Sequence, residues 1–281
     1  MKIRYASAFL LTLAAMIAPA LAHDLFLKLD SYFVKPNDKV SISVLNGSFS
    51  ASEGAVTYAR LADVSVISPD GTRSKVAEAD FTKDEKIAYL NFTPTAEGTH
   101  VAGLSTMPRE IELSGKDFNE YLAHDGIPDT LAERRRNKEL TKPARERYSK
   151  HVKIIFQSGG SLTDTYQTEL GYPVEIVPMD NPYSLKVGDT LRFRCLKDGR
   201  PLANQFVMTG YDRRPSTATA TTKTAVRSQP SLRTDRDGVA RVKLTAAGRW
   251  YVKFIQMTRL TGDPKLDYES KWASISFEVK R

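Results

Sequence analysis

A mainly β protein made of two sandwiches, the first carrying a short helical insertion, is what the sequence predicts. Three observations lead there. Apolar residues alternate over short runs, as Leu25, Leu27 and Leu29 do, so one face of an extended chain is to be buried. Turn residues close those runs at short intervals, for example Pro36-Asn37-Asp38, Asn46-Gly47, Pro69-Asp70-Gly71 and Asp198-Gly199. Only the stretch around 115–150 departs from the pattern, where Phe118, Tyr121 and Leu122 fall at helical spacing.

Taken in order, strands are predicted over 25–29, 40–45, 62–67, 86–92 and 98–104. Residues 116–122 form a first helix, broken by Gly126-Ile127-Pro128-Asp129, and 130–138 a second. The segment from Arg145 starts helical and becomes the strand 151–156, which returns the chain to the first sandwich. Ser158-Gly159-Gly160-Ser161 then reads as a loop or linker. Further strands are predicted over 174–178, 190–196, 206–211, 239–244, 249–254 and 272–279. The expected division is 23–170, with the insertion at about 115–150, and 171–281. Evenly spaced strands suit an immunoglobulin-like or transthyretin-like build. Residues 216–228, rich in Thr, Ser and Ala, read as a loop rather than a site.

The N-terminus has the parts of an export signal. Lys2 and Arg4 precede an uncharged apolar run over 6–17, and Ala18-Pro19-Ala20-Leu21-Ala22 offers small residues at Ala20 and Ala22. Residues 1–22 are therefore expected to be a cleaved signal peptide, giving a periplasmic protein that begins at His23, with no integral membrane segment after cleavage. The single cysteine, Cys195, lacks an internal disulfide partner and reads as a core thiol. The formal charge is +8, and the excess is spread along the chain. Its densest patch, 133–139 with Lys142, Arg145, Arg147, Lys150 and Lys153, interleaves glutamates and reads as a solvated helix face. With export, that argues against a nucleic-acid partner.

Few residues nominate chemistry. Cleavage after Ala22 would leave His23 with a free α-amine beside its imidazole, a nitrogen pair suited to copper, nickel or zinc. An amine of ordinary basicity yields its proton to a metal at neutral pH. The other histidines, His100, His124 and His151, stand at no ligand spacing. Asp235, Asp237 and Gly238 start like a calcium loop, but Val239 opens a strand, so a turn accounts for them. Glu120 and His124 share a helix face, which reads as surface pairing. Trp250, Trp272, Phe254 and Phe277 read as core rather than a sugar-stacking platform. No nucleophile elbow, phosphate loop, dinucleotide fingerprint or paired-histidine zinc motif occurs, and no enzyme is expected.

The order of several segments carries a resemblance. They are Ala22-His23-Asp24, 118–122 followed by Gly126-Ile127, 145–150, 171–178, 198–203, 234–238, Gly248-Arg249-Trp250 and 268–274. In this order the chain resembles an exported bacterial family labelled domain of unknown function 4198. Members of that family are described as a periplasmic component of a nickel or cobalt uptake system. The resemblance implies β-sandwich modules and a metal-related binding role without an established reaction. Members often begin the mature chain with His, which singles out His23. They also often carry a His before the loop that follows the Trp250 strand, where this chain has Gln256-Met257. The expected function is therefore a metal-binding or metal-delivery accessory with a transition-metal ion at His23 and an inner-membrane metal transporter as partner. A non-catalytic envelope interaction or adhesion module is the alternative.

Overall fold

The structure, a computed structural model, describes residues 23–213 and 225–280. The predicted signal peptide, and 216–224 of the predicted Thr/Ser/Ala-rich loop, lie outside the described residues. The protein is mainly β, as expected. The strands of five or more residues are β1 Asp24–Lys28, β2 Val40–Ser48, β3 Leu61–Ile67, β4 Ala88–Phe92, β5 Gly98–Thr106, β6 Arg109–Leu113 and β7 Ala144–Ser158. After them come β8 Val174–Pro178, β9 Thr190–Lys197, β10 Phe206–Asp212, β11 Val239–Lys243, β12 Gly248–Arg259 and β13 Tyr268–Val279. Two helices, α1 Gly115–His124 and α2 Pro128–Arg136, lie between β6 and β7.

One large sheet organises the molecule. Its central order is β10-β12-β13-β7-β5-β3, and β6 lies beside the first half of β7. The large sheet crosses the expected division at 170/171, because β7 and β13 pair in parallel from Glu146↔Tyr268 to Ile154↔Ser276. Two smaller sheets pack on it. The sheet of β1, β2 and β4 shares a core with β7 through Leu27, Ile42, Leu90, Val152, Ile154 and Phe156. The sheet of β8, β9 and β11 joins a second core with Ile155, Trp250, Val252 and Phe277. Successive side chains point to opposite faces of a strand, so Ile154 and Ile155 place these cores on opposite sides of β7. A buried ion pair fastens the chain where it enters the second core. Lys153 Nζ lies 2.9 Å from Glu175 Oε2, and the Glu175 carboxylate also accepts from the backbone N–H groups of Leu170 and Tyr172.

The helices form as the sequence predicts. Ser114 caps α1 by accepting from Asp117 N, and Phe118, Tyr121 and Leu122 are its buried face. Pro128 opens α2 and three arginines close it, in keeping with the helix dipole. Gly126, at φ +81°, makes the bend between them, and a Cβ there would meet Met208 Sδ at 2.5 Å. The helical part stops at Arg136, short of the expected 150. Residues 145–150 are strand throughout, not helix. The charged residues misled the reading. Arg145 and Arg147 are partnered on one face by Glu112 and Glu269, while Glu146 and Lys150 are buried on the other. This is a two-residue repeat whose inner members are polar.

The solvated-helix reading of 133–139 also needs correction at Arg134. The residue is 2% exposed, and its guanidinium lies over the Phe118 ring and donates to Asn119 Oδ1, Glu139 O and Lys142 O. It ties the chain after α2 back onto α1. Trp250 and Trp272 are buried, as expected, and on opposite faces: Trp250 in the second core, Trp272 beneath α1. Cys195 is a free core thiol, and burial pushes it well above the ordinary thiol range, into an inert form.

Candidate functional site

From Asp24 onward the described chain is part of the fold. β1 pairs with β2 from Asp24↔Gly47 to Lys28↔Ser43, and its other edge rests on the large sheet. Serine hydroxyls of β13 complete that edge: Ser274 Oγ donates to Leu25 O at 2.8 Å and Ser276 Oγ to Leu27 O at 2.5 Å. Orphan carbonyls of an edge strand are thereby satisfied without a further strand.

Three buried lysines clamp the same strand. Lys150 Nζ donates to His23 O and reaches Asn46 Oδ1 at 3.4 Å. Lys253 Nζ is 2.5 Å from Asp24 Oδ2 and 3.6 Å from Asp125 Oδ1. Lys28 Nζ is 2.6 Å from Asp212 Oδ2, and Arg249 Nε is 2.7 Å from Asp212 Oδ1. Burial lowers Lys150 to about 8. Burial would lower Lys253 too, but Asp24 and Asp125 hold it above the usual lysine range. Gly248, at φ +142°, lets β12 approach β10 here, since a Cβ would lie 2.1 Å from Asp212 O.

His23 sits at the open end of this clamp. Its side chain is 34% exposed, and Nε2 lies 3.2 Å from Glu53 Oε2. Glu53 was not predicted; it sits just past the short hairpin after β2, and no motif marks it. The donors here are one imidazole and one carboxylate, joined by one amine under the cleavage expected from the sequence. That set suits nickel, cobalt or copper and leaves coordination positions open. Among the described residues no three His, Cys, Asp or Glu side chains come together as a closed metal site.

The other histidines are placed elsewhere. His100 stacks on Phe156 with ring centroids 5.0 Å apart, and burial lowers its pKa. His151 lies between Ser105 Oγ and Ser149 Oγ at 2.9 and 3.0 Å, and burial, with Lys271 adding to it, pushes it down to about 4. It is a neutral core imidazole. His124 is exposed at the end of α1, 3.0 Å from Asp125. Glu120 is 3.9 Å from Lys116, so the predicted Glu120 and His124 face pairs with other neighbours. Asp235 Oδ1 accepts from the N–H groups of Asp237 and Val239, a turn's own use of its carboxylate. Gln256 donates to Thr258 Oγ1, and Met257 packs into the cluster beneath α1.

One titratable group was hidden from sequence reading. Glu146 is fully buried, accepts from Tyr121 Oη at 3.1 Å and from Ser270 Oγ, and leaves Oε2 without a hydrogen-bond partner among the described residues. Burial pushes its carboxyl up to about 7. A hollow between Asp24, Lys150, Lys253 and Trp272, whose Nε1 donates to Ser270 Oγ, measures about 10 Å³. That is room for one water rather than a substrate.

Comparison with known proteins places the chain in a family. The model of the family described as "Domain of unknown function (DUF4198)" matches residues 20–258. The protein belongs to that family. No curated protein matches it. Among solved structures, a Salmonella alpha-2-macroglobulin variant aligns with 92% of this chain and 15% of its own, at 12% identity and a TM-score of 0.24. Trypsin-activated alpha-2-macroglobulin from Escherichia coli aligns with 92% and 16%, at 11% identity and a TM-score of 0.25. The chain thus spans under a fifth of those proteins' length, and superposition at that level defines neither fold nor role.

Proposed function

We propose that the processed DUF4198 protein is a periplasmic, non-catalytic metal-binding accessory that holds nickel, cobalt or copper at His23 and passes it to an inner-membrane transporter. One observation supports this most: the residue expected to become the amino terminus is already held in place. Asp24 is paired to β2 and to Lys253, and Lys150 grips the His23 carbonyl. An amine and an imidazole on a fixed backbone bind without first ordering the chain. Glu53 adds a carboxylate from a different segment. A site with open positions is also one from which an ion can be handed on.

The test is a metal titration on protein purified after native export. Nickel, cobalt or copper should bind once per chain, and His23→Ala should weaken binding by more than about tenfold, the scale on which even supporting groups of a metal site act. Unchanged affinity in His23→Ala, or no affinity in correctly processed protein, overturns the reading.

A further inference from the structure

Beside His23 lies a cavity of about 180 Å³ lined by Arg60, Arg109, Lys150, Asn46 and Tyr148. Its charge is unbalanced. Several arginines of this protein meet a carboxylate, as Arg73, Arg192, Arg233, Arg249 and Arg259 do. Arg60 and Arg109 meet none among the described residues. Lys150, 6% exposed, hydrogen-bonds two neutral oxygens, His23 O and Asn46 Oδ1, and feels Asp24 and Asp125 only through space, both of them shared with Lys253. Three cations around one hollow repel one another, and an anion placed among them relieves that repulsion. Two guanidinium forks and an ammonium match the oxygens of carboxylates and phosphates alike, and of the two a polycarboxylate is the one that also wraps a transition metal. The volume is below that of pockets for drug-sized molecules, so the ligand is small.

The same charges bear on the metal. A bare divalent cation approaching His23 meets one carboxylate without a lysine or arginine partner, Glu53, since Asp24 is taken up by Lys253, and it faces the positive wall of Arg60, Arg109 and Lys150. A cation already wrapped by an acid of two or three carboxylates presents negative charge to that wall instead.

We propose that this cavity binds a small di- or tricarboxylate, and that the metal reaches His23 as that acid's chelate. The anion site stands on the cavity alone; the chelate half rests on the metal reading above.

Equilibrium dialysis of the processed protein against citrate in metal-free, low-salt buffer tests the first half. Citrate should be retained, and Arg60→Ala with Arg109→Ala should weaken retention more than tenfold, while His23→Ala leaves it unchanged. Both arginines are at the surface or half-buried, so the variant retains its core. Citrate held no better by the native protein than by the double variant overturns the site, as does inorganic phosphate held more tightly than citrate. Dialysis against nickel with citrate, measuring both, tests the second half. One nickel and one citrate per chain support it, and nickel retained equally with and without citrate overturns it. Citrate bound while nickel is retained under neither condition upholds the anion site and overturns the metal reading.

Discussion

Replacing Asp212 with alanine is expected to lower the unfolding free energy by ~3–5 kcal/mol, the cost of stranding a buried charge. Asp212 is the one carboxylate between two buried cations. Its side chain is 1% exposed, those of Lys28 and Arg249 are 10% exposed, and it accepts from Lys28 Nζ, Arg249 Nε and Arg249 Nη2 at 2.6, 2.7 and 2.9 Å. Burial already lowers Lys28, and Asp212 offsets part of that penalty. Without the carboxylate, two positive charges from β1 and β12 face each other, with Phe49 O, the Phe49 ring and the more distant, exposed Asp30 to offset them. Denaturant melts read the loss as a fall in midpoint at constant slope. Adding Lys28→Met should recover part of it, because the second change removes one stranded charge. A loss under about 1 kcal/mol, the range of an exposed pair, contradicts this account of the clamp.

The second large effect concerns pH. Between the ordinary glutamate value of 4.5 and about 7, folded Glu146 keeps a proton that the unfolded chain has released. The folded state then binds more protons, so this group's contribution to stability falls as pH rises through that window. The shift corresponds to roughly 3 kcal/mol, complete above about pH 7. Glu146→Gln keeps an oxygen for Tyr121 and Ser270 and carries no charge to bury. The variant should therefore match the native protein near pH 4.5, exceed it in stability at pH 8, and lose this part of the pH dependence. Asp125 and Lys150 also act on Glu146 and are common to both proteins. Parallel stability profiles for the two proteins contradict the assignment.

These two groups show where sequence reading stops. Strands with apolar inner faces, such as β2 and β9, were legible from alternation and turn residues. The helices were legible from the spacing of Phe118, Tyr121 and Leu122 and from Pro128. Polar residues on an inner face were not. Glu146, Lys150, Lys253 and Arg134 occupy inward positions yet carry the residue types that normally mark the outside, so β7 was read as starting helical. What makes them tolerable is a partner far along the chain: Asp24 for Lys253, Ser270 for Glu146. Pairs of that separation leave no local pattern. At the candidate site, His23 was singled out in the sequence because the expected cleavage point falls just before it. Glu53, Arg60 and Arg109 were not, because only folding brings them to His23 and to the cavity beside it.

The central claim is that removal of the signal completes a metal site by freeing the His23 amine. The direct measurement compares nickel and copper affinity for two forms of the exported chain: one beginning at His23 with a free amine, the other the same chain acetylated at that amine, with both termini verified by mass. The account predicts binding by the first form and a loss of more than tenfold in the second, whose imidazole is intact but whose amine is tied up as an amide. Equal affinity in the two forms would contradict it.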